Sequence, residues 1–65
     1  MNIDKYVKVQ DSQGRTLTIT VYGAVVDLGI ANGRTQEEAY NSTLFHALDN
    51  AIWRKEIGAD AVVVD

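Results

Sequence analysis

The chain has 65 residues, with no cysteine, no proline, one histidine, and six basic against nine acidic residues, for a formal net charge of −3. A domain this small buries only about 60% of the surface its unfolded chain exposes, and without cysteine it has no disulfide or thiolate metal site to make up the difference. A hydrophobic share of 46% excludes disorder, one histidine argues against a closed structural zinc site, and self-association is left as the expected source of extra stability.

A single domain over residues 1–65 is predicted. No apolar run approaches the roughly 20 residues of a membrane span, and Met1-Asn2-Ile3-Asp4-Lys5 lacks the apolar core of a signal peptide. A cytoplasmic, membrane-free protein is therefore expected, with Asn41-Ser42-Thr43 a chance match to the glycosylation sequon. Nucleic-acid binding draws its affinity from Lys and Arg on phosphates. The acidic balance and the lack of a basic run argue against it.

Residues 6–10 alternate, with Val7 and Val9 on one face and Tyr6, Lys8 and Gln10 on the other, which predicts a half-buried strand. Asp11-Ser12-Gln13-Gly14 reads as a turn. Residues 15–22 form the clearest strand, with Leu17, Ile19 and Val21 inward and Thr16, Thr18, Thr20 and Tyr22 outward. The two make a hairpin. After Gly23, residues 25–31 alternate again with Val26, Leu28 and Ile30 inward, which predicts a third strand ended by the Asn32-Gly33 turn signal.

Thr35-Gln36-Glu37-Glu38 is a capping box: the Thr35 hydroxyl can accept from the Glu38 N–H while the Glu38 carboxylate reaches back to the Thr35 N–H. The helix it opens is predicted to run to residue 56 or 57 and to stop at Gly58, with Arg54 and Lys55 in its last turn. Residues 61–64 read as a short closing strand. The expected fold is α+β: an antiparallel sheet in the order β-β-β-α-β, with one long helix packed on one face.

At 100° per residue, Tyr40, Leu44, Ala47, Leu48 and Ala51 make the core stripe of that helix. Phe45 and Ile52 fall at its edge, and Trp53 falls outside it, near Ser42, His46 and Asp49. Either Trp53 folds back over the helix end, or Phe45, Ile52 and Trp53, with His46 and Asp49 beside them, form a second contact surface for another copy or a partner. The outer sheet face (Tyr6, Lys8, Thr16, Thr18, Thr20, Tyr22) is either solvated or a platform for a planar ligand.

Ser42, His46 and Asp49 can share a helix face, but a convex helix supplies neither a cleft nor an oxyanion hole. Glu37 and Glu38 are accounted for by capping, and Gly29, Asn32 and Gly33 do not make a phosphate loop. No catalytic, metal or cofactor site is expected.

Asp27-Leu28-Gly29 and Gly33-Arg34-Thr35-Gln36-Glu37-Glu38-Ala39 resemble the N-terminal domain of HicB-type antitoxins, in which an Asp-Leu-Pro-Gly-like segment precedes Gly-x-Thr-x-Glu-Glu-Ala at a helix start. The proline is missing here. That resemblance implies a three-stranded meander, a helix, a further strand and a toxin-type protein partner. The strand at residues 15–21 followed by Gly33-Arg34-Thr35 is also similar to double-stranded-RNA-binding domains. Gln36 and Glu37 stand where that family carries phosphate-gripping lysines, so the resemblance implies the architecture without the activity.

The expectation is a small non-catalytic binding protein, an antitoxin-like or inhibitor-type homo-oligomer that blocks a protein partner. The alternatives are an oligomeric protein that sequesters a small molecule, of the phage counter-defence type, and a degenerate double-stranded-RNA-binding-like domain.

Overall fold

The computed structural model describes residues 1–64 and has the α+β order β-β-α-α-β. β1 (Lys5–Gln10) and β2 (Thr16–Val21) form the expected hairpin, running antiparallel from Lys5 opposite Val21 to Gln10 opposite Thr16. This register puts Val7 opposite Ile19 and Val9 opposite Leu17 on one face. Four of those apolar side chains, counting Val21, are buried, and Leu17 packs partly buried against them.

The turn between the strands is built around Asp11, the one buried polar residue among those described. The Asp11 N–H continues the ladder to the Arg15 carbonyl at 3.0 Å, and Gly14 closes the turn at a φ of +82°. The Asp11 carboxylate accepts from the N–H groups of Gln13, Arg15 and Gly58 and from Arg15 Nε. Burial pushes this carboxyl up, but the Gly58 and Arg15 hydrogen bonds and the Arg15 charge outweigh that and hold it below 3.8. Asp11 thereby ties the hairpin turn to the loop that follows the long helix.

The predicted third strand is a helix, α1 (Gly23–Ala31). Its start carries no side-chain cap from Tyr22. Instead Asp4, 19 residues earlier, accepts from the Gly23 N–H at 2.8 Å, supplying one of the orphan bonds a helix start needs. Asn2 donates from its backbone and its side chain to Asp27 on the same helix, and Gln36 Nε2 donates to Asn2 Oδ1. Asn2 therefore joins α1 to the beginning of the next helix, while Asp4 caps α1 itself. At its other end the Arg34 N–H reaches the Gly29 carbonyl and the Gly33 N–H reaches the Ile30 carbonyl, with Gly33 at a φ of +98°. That pattern is a Schellman motif, so Asn32-Gly33 closes a helix rather than a strand. Of the residues expected to face inward, Val26 is buried, whereas Leu28 and Ile30 are exposed.

α2 (Gln36–Trp53) begins at the expected capping box, with Glu38 N–H to Thr35 Oγ1 at 3.1 Å and Thr35 N–H to Glu38 Oε1 at 3.0 Å. It stops earlier than predicted. Lys55 turns to a φ of +61°, its N–H bonds the Ile52 carbonyl, and the Glu56 N–H bonds the Ala51 carbonyl. This is a second Schellman motif, here with lysine where glycine is usual. The early stop lets Ile57 turn back into the core. Gly58 follows in the loop, where its N–H reaches Asp11.

β3 is shorter than the predicted strand, spanning Val62–Val63 beside β1, with Val64 adding one bond to the Lys8 carbonyl at 2.9 Å. The sheet order is β2-β1-β3. α2 lies across one face of this sheet, with Leu44, Leu48 and Ala51 buried, and Ala39 buried where α1 crosses it. Gly29 makes that crossing close, since a Cβ there would sit 3.0 Å from Ala39 Cβ. The result is a thin two-layer body of 38 × 19 × 15 Å. Its radius of gyration is 12.2 Å, against about 11 Å for a compact chain of this length.

Candidate functional site

The face of α2 turned away from the sheet carries the residues that the sequence set apart. Phe45 is 61% exposed and Trp53 is 78% exposed, so the indole does not fold back over the helix end. His46 and Asp49 are exposed between them, while Ile52 is half-buried against the core and completes one flank. Ser42, Phe45, His46, Leu48, Asp49 and Ile52 line a shallow, open depression of about 440 Å³ on that flank. The helix period brings Phe45 and Ile52 together because they are seven residues, or two turns, apart. Trp53 stands at the last helical position, outside the depression.

The outer sheet face holds the second candidate group. Tyr6 lies opposite Thr20 and Lys8 opposite Thr18. Tyr6, Lys8 and Thr18 are exposed and Thr20 is half-buried. Tyr22 lies past the end of β2 as the N-cap residue of α1. Together with Thr20 it lines a different depression, of about 420 Å³, between α1, α2 and the edge of β2.

That second depression is the feature sequence reasoning missed. Val25 and Leu28 from α1 are exposed along it, with Arg34 and His46 as its charged or titratable groups. As a strand, residues 25–31 would put Leu28 in the core, whereas as a helix they leave it exposed. The spacing of Gly23, Val26 and Ile30 was the available helical signal, and it competed with an equally good alternation.

Four acidic side chains have lowered pKa values, and all of them serve the scaffold. Side-chain donation from Asn2 is the main cause at Asp27, and the Thr35 N–H is the main cause at Glu38. Ser12 does the same at Asp60, and at Asp11 the Gly58 and Arg15 hydrogen bonds outweigh burial. No group of three or more His, Cys, Asp or Glu side chains suited to a metal ion occurs among the described residues. No helix among them is long and apolar enough to cross a membrane.

No family model, no curated protein and no solved structure matches this chain.

Proposed function

We propose that this protein is a small, non-catalytic binding protein of the antitoxin or inhibitor type, which blocks a protein partner with the outer face of α2 and works as a homo-oligomer. The observation that carries this reading is the exposure of Phe45 and Trp53 on a helix whose opposite side is already committed to the core. Aromatic side chains dominate the energetics of protein interfaces, and water-exposed rings of this size gain most from being covered. His46 and Asp49 between them offer polar contacts that would fix orientation. An exposed helix face with only a shallow, open depression along its flank suits docking against a partner's surface better than enclosing a substrate.

The second depression favours one alternative, an oligomeric protein that sequesters a small molecule. Tyr22, Val25 and Leu28 give it apolar walls and Arg34 a cation, and its volume falls in the range of small-molecule sites.

The test is affinity isolation with the tagged chain, comparing the wild type with Trp53→Ala and Phe45→Ala, alongside native mass spectrometry of the purified protein. Interface anchors of this kind cost about 2 kcal/mol or more, roughly 30-fold in affinity, when truncated. Both side chains are exposed, so folding stability should move by no more than about 0.5 kcal/mol. A partner retained equally by both variants would refute the α2 surface. A bound small molecule retained through purification would favour the alternative.

A further inference from the structure

We infer that two copies of this chain join along the free edges of their β2 strands, antiparallel about a two-fold axis, to form one continuous six-stranded sheet with both α2 helices on the same side. This deepens the homo-oligomer part of the proposed function by giving it a surface separate from the α2 face.

In an antiparallel ladder, alternate residues point their N–H and C=O groups toward the neighbouring strand. The bond from Asp11 N–H to Arg15 O shows that odd-numbered residues pair β1 with β2, and the bond from Val64 N–H to Lys8 O shows that even-numbered β1 residues face β3. The N–H and C=O groups of Thr16, Thr18 and Thr20 therefore point outward from β2, where no strand lies among the described residues.

An open edge is a hazard that folded proteins blunt with charge, proline, bulges or short length. β3, the other edge, has two residues. β2 runs Thr-Leu-Thr-Ile-Thr-Val for six residues with no charge, no proline and no glycine. Beside it, a trough of about 370 Å³ separates the edge from α2. Its far side is faced by Ala47, Asn50 and Ala51 of α2, with Arg54 and Glu56 just past the helix end, and the two alanines leave room for an incoming strand.

Three features favour a second copy as the occupant. Registers that pair outward-pointing residues with one another, such as Thr18 opposite Thr18, set Leu17 against Ile19 on the helix side and threonine against threonine on the other. Cross-strand pairs of both kinds stabilise sheets. The seam carries no side-chain charge from β2, and the two charged residues lining the trough, Arg54 and Glu56, are of opposite sign, so two copies of a chain with net charge −3 meet there without a surplus of like charge. Finally, the surface of 4628 Å² exceeds the roughly 4,100 Å² expected of a compact monomer of 7.2 kDa.

Sedimentation equilibrium on the full chain tests the proposal, with circular dichroism to confirm the fold. The wild type should sediment at twice the chain mass. Thr18→Pro removes a donor that β1 does not use, a position where an edge strand accepts proline, and should halve the mass with the spectrum unchanged. Thr18→Lys keeps the donor and adds a charge at the seam; it should give the same halving, and it decides the matter should the proline variant unfold. Trp53→Ala should remain dimeric, so loss of partner binding with the dimer intact separates the α2 surface from this one. A wild type at single-chain mass, a dimer that survives Thr18→Lys, a dimer lost in Trp53→Ala, or a mass that grows without closing at two would each overturn the proposal.

Discussion

Replacing Gly23 with alanine sets a gain in helix propensity against a loss of tertiary capping, and the structure indicates which prevails. A Cβ at position 23 would lie 2.1 Å from the Asn2 carbonyl oxygen, 2.6 Å from its carbon and 2.9 Å from the Ile3 carbonyl carbon. All three are backbone atoms, so no rotamer change relieves the overlap. The segment must lift by more than about 1 Å to reach ordinary contact near 3.5 Å. Lifting breaks the bond from Gly23 N–H to Asp4, a charge-assisted hydrogen bond worth about 1.5–3 kcal/mol. It also breaks the one from Gln36 to Asn2, worth about 1 kcal/mol. Alanine returns at most about 1 kcal/mol of helix propensity, because Gly23 is the first residue of α1 rather than an interior one. The net expectation is a loss of about 2 kcal/mol, a large fraction of the roughly 3–10 kcal/mol that a domain of this length holds. Thermal unfolding followed by circular dichroism should show a drop of about 10 °C. Combining Gly23→Ala with Asp4→Ala should cost less than the sum of the two, because both act through the same bond. An alanine variant as stable as the wild type, or more stable, would show that residues 2–4 are not seated on α1.

Lys55→Gly should stabilise the chain by about 1 kcal/mol, since a residue with a side chain at a φ of +61° pays a cost that glycine avoids; a lower urea midpoint would mean that the lysine side chain contributes more than its backbone strain costs. Stability should also fall in acid. The Asp11, Asp27 and Asp60 carboxyls titrate below 3.8 in the folded chain, and Glu38 below 4.5. Each contributes stability that is fully present above those ordinary values and is lost as pH falls through the lower folded values. Asp11→Asn should make the urea midpoint less sensitive to pH below about 4, and an unchanged acid slope would remove Asp11 from that account.

Local chemistry made the hairpin, the start of α2 and the exposure of Phe45 and Trp53 legible from the chain alone. Val7, Val9, Ile19 and Val21 alternate because one sheet face is buried and the other is not. Thr35 and Glu38 cap α2 through atoms three residues apart. The excess of apolar side chains around α2 marked Phe45 and Trp53 as surplus to a single core stripe, and both are exposed. In each case the deciding contacts lie within a few residues or follow a fixed period.

Tertiary contacts decided the rest. Residues 23–31 carry a pattern compatible with strand or helix, and the helix is held by Asp4 and Asn2 from 19 and 25 residues away. Asn32-Gly33 suits a turn after a strand and the close of a helix equally well, because both need a positive φ. α2 ends at Trp53 rather than near Gly58 because burying Ile57 and satisfying Asp11 with the Gly58 N–H reward an early turn at Lys55. Periodicity and capping act through the chain's own neighbours and can be read along it. Which of two equally patterned conformations a segment adopts depends on distant groups that complete its hydrogen bonds, and those come together only when the whole chain folds.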